Sequence, residues 1–195
     1  MHTGVNMANL TERLNQIYDL ITTEDFLKCR GLGNEIAFYI FDYLPEEELK
    51  VRDHIDFMLK RIKSQTGFKV ADINLFEFVV EHLQSRKLFD KSCEVEVKQG
   101  ISQLEKAVRA PLKPENLVKL FQEKVRPEEY DLTVIRGVGN AWPLARAHSL
   151  LNNLQPIMKS KPLILFYPGV YDGQSFELFG KLKSNPYYRA FRLVT

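Results

Sequence analysis

The stretch Asp131-Leu132-Thr133-Val134-Ile135-Arg136-Gly137-Val138-Gly139-Asn140 decides how the rest of the chain is read. Leu132 to Ile135 is a short run rich in β-branched residues, and two glycines follow it at once. That order predicts a buried strand turning sharply into a helix, which the pattern carries from about Ala141 to Leu154. Three more runs share the character of this strand: Ile36 to Phe41, Lys69 to Ile73, and Leu163 to Tyr167 ahead of Pro168-Gly169. Phe191 to Val194 offers a last one.

Helical periodicity fills the intervals. Asn9 and Glu12 form a capping pair for a face of Leu10, Leu14, Ile17 and Ile21. Pro45-Glu46-Glu47-Glu48 opens a helix with Val51, Ile55, Met58, Leu59 and Ile62 as its stripe. Asn74 and Glu77 cap another that carries Phe76, Val79, Val80 and Leu83. Two further helices read from Val97, Ile101, Leu104 and Val108, then from Leu117, Val118, Phe121 and Val125 after Pro114. Strands alternating with helices predict an α/β fold: three layers, a mainly parallel sheet, and helices on both faces. Residues 7–195 are expected to form one such domain, with a helical insertion at about 90–126. Residues 1–6, ahead of Met7, read as an expression remnant or upstream-start extension.

Composition removes several functions. The chain of 195 residues balances 27 Lys and Arg against 25 Asp and Glu, so it lacks the basic excess that makes nucleic-acid backbone binding the default. Every apolar run is cut by a charge, a proline or a glycine well short of a membrane span, and the amino terminus has no secretory pattern. The two cysteines, Cys29 and Cys93, form no CxxC pair and the four histidines are scattered, so no metal site and no cofactor is expected. A reducing cytoplasm suits this cysteine usage.

Chemistry in an open parallel sheet collects at the carboxyl ends of its strands. Asp42, the segment from Arg136 to Pro143, and the segment from Tyr167 to Gly173 all fall there. Gly137 and Gly139 resemble a phosphate loop in placement, but there is no GxGxxG and no GxxxxGK[ST], and Trp142-Pro143 stands where amide donors are needed. Nucleotide hydrolysis is therefore not expected. Arg136, Gly137, Gly139, Trp142 and Arg146 remain candidates for binding an anion or a partner's acidic loop, since a guanidinium grips carboxylate or phosphate bidentately. The plainer reading pairs each arginine with Asp42, Asp131 or Asp172.

His148, on a face with Leu144 and Leu151, reads as a hydrogen-bonded core histidine, and Ser149 beside it makes no triad because neighbours on a helix point apart. Tyr167, Pro168, Gly169, Tyr171 and Asp172 are read as an aromatic turn leaving a strand toward a helix with Phe176, Leu178, Phe179 and Leu182. Such a turn is a candidate docking loop. Tyr187, Tyr188 and Arg189 form a second such candidate, and with Arg192 they offer a stacking surface for bases.

The carboxyl third carries a family likeness. Arg136-Gly137-Val138-Gly139, Trp142-Pro143, Arg146, His148, the run Pro162 to Gly169, Tyr171-Asp172-Gly173 and Tyr187-Tyr188-Arg189-Ala190-Phe191 together resemble the BrxB family of bacterial BREX phage-defence systems. The likeness implies a small cytoplasmic component working beside a DNA methyltransferase, a large ATPase and the phosphatase-like protein PglZ. It brings no catalytic centre with it. The expected role is assembly or regulation, with PglZ as first partner, on a core resembling a phosphate-loop NTPase that has lost its chemistry. Two alternatives stand beside it: a nucleotide- or phosphate-binding regulator, and direct contact with DNA.

Overall fold

The computed structural model describes residues 9–29, 37–183 and 189–194. Five parallel strands carry the fold: β1 (Phe38–Tyr43), β2 (Val70–Asn74), β3 (Leu132–Arg136), β4 (Leu163–Tyr171) and β7 (Phe191–Arg192). They lie in the order β2-β3-β4-β1-β7. Two short strands, β5 (Phe176–Leu178) and β6 (Leu182–Lys183), extend β4 as an antiparallel meander.

Alternation along each strand sends side chains into two separate cores, which is how a parallel sheet buries both faces. On one face Phe41, Leu132, Val134, Ile164 and Phe166 meet α1 (Leu10–Ile21) and α3 (Glu48–Gln65). On the other, Phe38, Ile40, Ile135, Leu163 and Leu165 meet α4 (Leu75–Ser85), α6 (Ile101–Val108), α7 (Pro114–Lys124) and α9 (Ala147–Met158). The predicted α/β architecture with helices on both faces is therefore observed. Two further helices lie between these elements: α2 (Glu24–Leu27) and α5 (Phe89–Gln99).

Asn74 and Glu77 pair as read, Asn74 accepting from the amides of Phe76 and Glu77 and donating to the Glu77 carboxylate; Asn9 caps α1 through the Thr11 amide, without Glu12. The helical stretch after β2 does not stand apart: Leu104, Val108, Leu117 and Phe121 join the same core as the sheet. Its Val97-to-Val108 periodicity is divided at Gly100, whose φ of +80° ends α5 and starts α6.

Three readings are corrected. The helix expected from Ala141 to Leu154 is two pieces, α8 (Val138–Ala141) and α9. Trp142 precedes a proline, is held extended at ψ 138°, and so ends the first piece, leaving Leu144 outside α9. The expected turn at Pro168-Gly169 is strand: β4 runs on to Tyr171, and only Val170 of its residues is exposed. Pro168 is tolerated because β3 pairs with β4 only as far as Leu165, so its missing N–H falls where the parallel ladder gives way to the antiparallel one. Finally, Phe176 and Leu178 belong to a strand, not a helix; their alternate burial around Glu177 is the period of two. The expected strand beginning at Ile36 starts at Phe38 among the described residues, while Met7, Gly31, Gly33, Tyr187 and Tyr188 lie outside them.

Candidate functional site

The chain leaving β1 crosses one face to reach β2 at the far edge, and the chains leaving β2 and β3 cross the other face. The order reverses at β1, and the carboxyl end beside such a reversal is where open sheets hold ligands. Here that place is filled from within. Asp42, at 3% exposure, accepts from Arg13 Nη2 at 2.9 Å, from the Tyr171 amide at 3.1 Å and from Arg192 Nη2 at 3.2 Å. Arg13 also donates to the Asp42 and Val194 carbonyls and lies 4.6 Å above the Phe41 ring. Arg192 donates in addition to the Tyr171 carbonyl. One carboxylate thus joins α1, β1, β4 and β7. The first helix announces this in advance, because Arg13 sits between Leu10, Leu14 and Ile17 on the apolar stripe, where an unpaired guanidinium is too costly to bury.

The turn following β1 carries no phosphate-binding apparatus. Pro45–Glu47 is a 3-10 turn of acids, and Glu48 accepts from the Tyr43 hydroxyl at 2.6 Å and Arg52 Nε at 3.1 Å. Burial, with the Glu48 charge adding to it, pushes the Tyr43 phenol far above its ordinary value.

Arg136 is not free either, and its partners are not those expected. Nη1 donates to Asp56 at 2.7 Å and Nη2 to Asp72 at 2.8 Å, tying the end of β3 to α3 and β2. Asp131 instead accepts from the Lys69 amide, and Asp172 from the amides of Gln174 and Ser175 in its own turn, which lowers its carboxyl pKa. Burial raises the Asp72 carboxyl despite the opposing pull of Arg136.

The glycines of the β3 turn serve close packing. Gly137 has φ +71°, and a Cβ there would stand 2.3 Å from Asn74 Oδ1, the cap of α4. A Cβ on Gly139 would meet the Phe179 ring at 2.9 Å, and one on Gly169 the Glu177 carbonyl at 2.3 Å. The docking-loop residues behave likewise. Tyr167 is buried with its ring 4.9 Å from Phe176. Tyr171 stacks on Phe176 at 4.8 Å and donates its hydroxyl to the Ala190 carbonyl; burial pushes its phenol up to about 12. Asp172 is exposed, and Arg189 is exposed with Nη1 donating to Gln155. Arg192 turns inward to Asp42, which removes it from the stacking surface imagined for bases.

Arg146 differs from Arg136. It is exposed, has no carboxylate partner among the described residues, and lines a cavity of about 340 Å³ between the start of α9 and the β5–β6 meander. Trp142, His148, Tyr167, Lys181 and Lys183 share that lining, so Arg136 and Arg146 do not face one crevice. A second cavity of about 340 Å³, toward α6 and α7, has Arg146 on its other side with Arg109, Lys113 and Glu105. Burial, with the Arg146 charge adding to it, holds the His148 imidazole below its ordinary value.

Contrary to the adjacency argument, Ser149 Oγ lies 3.1 Å from His148 Nε2. Among the described residues no carboxylate orients the ring, so the pair lacks the third member of a triad. Nor does any group of three His, Cys, Asp or Glu among them gather as for a metal ion, and none of their helices is long and apolar enough to cross a membrane.

Fold and edge together define a three-layer, parallel-sheet α/β protein whose strand-end polar groups bind one another. Over residues 71–193 the chain matches the family model described as BREX protein BrxB. It is 38% identical over 192 residues to the BREX protein BrxB of Bacillus cereus (strain H3081.97), covering 96% of this chain and 99% of that one. It is 40% identical over 185 residues to the BREX protein BrxB of Escherichia coli O9:H4 (strain HS), covering 95% and 92%. The chain belongs to the BrxB family and so is a component of a BREX system. No solved structure matches it.

Proposed function

We propose that the chain is a non-enzymatic accessory component of BREX antiphage defence, an assembly or regulatory module that binds other BREX proteins, PglZ first. The observation that supports this reading is the inward use of the sheet's carboxyl edge. Arg136 is taken by Asp56 and Asp72, and Asp42 by Arg13 and Arg192, so the groups nearest the ligand position of an open sheet are spent on the fold. The likeness to a phosphate-loop NTPase core rests on the parallel sheet alone, as fold-level analogy, since β1 is followed by Pro-Glu-Glu-Glu and not by a glycine loop with lysine. Such a chain acts by presenting surface. Its work then takes place in the cytoplasm beside the large ATPase and the methyltransferase.

The test is a pull-down of the tagged chain from cells carrying the complete BREX cluster, followed by mass spectrometry. PglZ in stoichiometric amount is the expected result; a well-folded chain that brings down no BREX protein refutes the assembly role. Turnover of any nucleotide by homogeneous material, abolished by one side-chain change, refutes the non-enzymatic one.

A further inference from the structure

The two arginines singled out in the sequence part company in the fold, and the one left over is informative. Arg146 stands with His148, Lys181 and Lys183 around the first cavity. Lys183 stands opposite Glu177 in the meander, so Arg146 and Lys181 are the permanent cations left to this concavity, which has no carboxylate among its lining residues. Neither Arg146 nor either lysine has an ion pair among the described residues, although the chain as a whole is nearly charge-balanced. Glu177, whose charge reaches Tyr167, alternates to the opposite side of β5 from Phe176 and Leu178, which line the cavity, and it pairs in register there across the meander with Lys183. Like charges held together without counter-ions repel one another, so this arrangement is relieved by an anion.

The rest of the wall specifies the kind of anion. Apolar side chains such as Val138 and Leu178 alternate with the few cationic groups, the make-up of small-molecule sites, and about 340 Å³ falls within their size range. At the rim Trp142 is 40% exposed and offers a flat ring for stacking. The first turn of α9, whose amides no side chain caps, adds its dipole in the same sense.

We infer that this cavity binds a phosphorylated small molecule of nucleotide size, its phosphates held by Arg146 and Lys181 and its ring against Trp142. This goes beyond the assembly role and holds whichever BREX protein the chain meets. It also moves the anion site away from Arg136.

Trp142 is the single tryptophan of the chain, so the cavity carries its own reporter. The purified chain is titrated at low salt with ATP and, separately, with pyrophosphate, following Trp142 fluorescence and calorimetric heat. Saturation with ATP is expected, with weaker saturation by pyrophosphate. Arg146→Ala and Lys181→Ala each weaken ATP by about tenfold or more, the loss of one charge-assisted hydrogen bond. Both side chains are exposed, so the variants keep the parent's melting curve. Arg109→Ala, which alters only the second cavity, leaves ATP affinity unchanged.

No saturation by ATP up to millimolar concentration overturns the inference. So does loss in Arg109→Ala with none in Lys181→Ala. Binding of an acidic peptide without binding of ATP also overturns it, and reassigns the cavity to protein docking. A failed pull-down with an intact ATP response separates this site from the assembly role.

Discussion

Replacing Asp42 by Ala tests whether the buried carboxylate is the joint on which the carboxyl edge depends. In the parent, the Arg13 and Asp42 side chains are 5% and 4% exposed, whereas Arg192 is 30% exposed. The Arg192 half of the cluster is therefore screened by solvent and contributes little. The Arg13 half decides the magnitude. Removing one partner of a buried pair costs about 3–5 kcal/mol, because the other charge stays behind without compensation. Arg13 keeps the Asp42 and Val194 carbonyls, so the lower end applies, about 3 kcal/mol. For a chain of this size that is a fall in melting temperature of roughly 6–12 °C. Urea unfolding followed by circular dichroism reads it as a lower midpoint at unchanged slope. Arg13→Met combined with Asp42→Leu recovers most of the loss, since an apolar pair fills the same space without a desolvation cost. An Asp42→Ala variant within about 1 kcal/mol of the parent at the same slope refutes the reasoning.

Gly137→Ala places a Cβ 2.3 Å from Asn74 Oδ1 on a residue at φ +71°. Strain and damage to the α4 cap together cost about 2–3 kcal/mol by denaturant midpoint, against about 1 kcal/mol for Gly180→Ala, which meets nothing within 4 Å. Arg136→Ala removes the cation that opposes burial at Asp72, so the Asp72 carboxyl titrates at higher pH by NMR, while the Trp142 response to ATP is unchanged. Burial holds the His82 and His148 imidazoles below their ordinary value. As pH falls past about 6.5 the unfolded chain therefore takes up protons that the folded chain refuses, and stability present at pH 7.5 declines toward pH 5.5. Melting curves show this fall, and it shrinks in His82→Gln; a melting temperature that rises on acidification contradicts it.

Several elements are set by local signals. The β-branched runs at Leu132 and Leu163, and the Asn9 and Asn74 caps, act over a few residues, so spacing alone reveals them. Elsewhere a local signal is overridden by distant partners. Pro168-Gly169 looks like a stop, yet β5 supplies the pairing that carries β4 past it. Phe176-Glu177-Leu178 is too short for a period to declare itself, and only its register against Gly169 to Tyr171 makes it a strand.

The candidate site divides along the same line. The residue types and their place at strand ends were visible in the sequence: Asp42, Arg136, Arg146, the glycines, Trp142 and Tyr167. Which of them remain available was not. Arg136 is spent on Asp56 and Asp72, 80 and 64 positions away, and Asp42 on Arg13 and Arg192, 29 and 150 positions away. Lys181 and Lys183 come to Arg146 only because the meander folds back on the sheet. The chain by itself determined the central strands and the long helices, since φ/ψ preference and the alternation of apolar side chains act between neighbours. Only the tertiary structure decided which charges are neutralised and which are left facing a cavity, because Coulomb attraction and desolvation depend on distance in space and not along the chain.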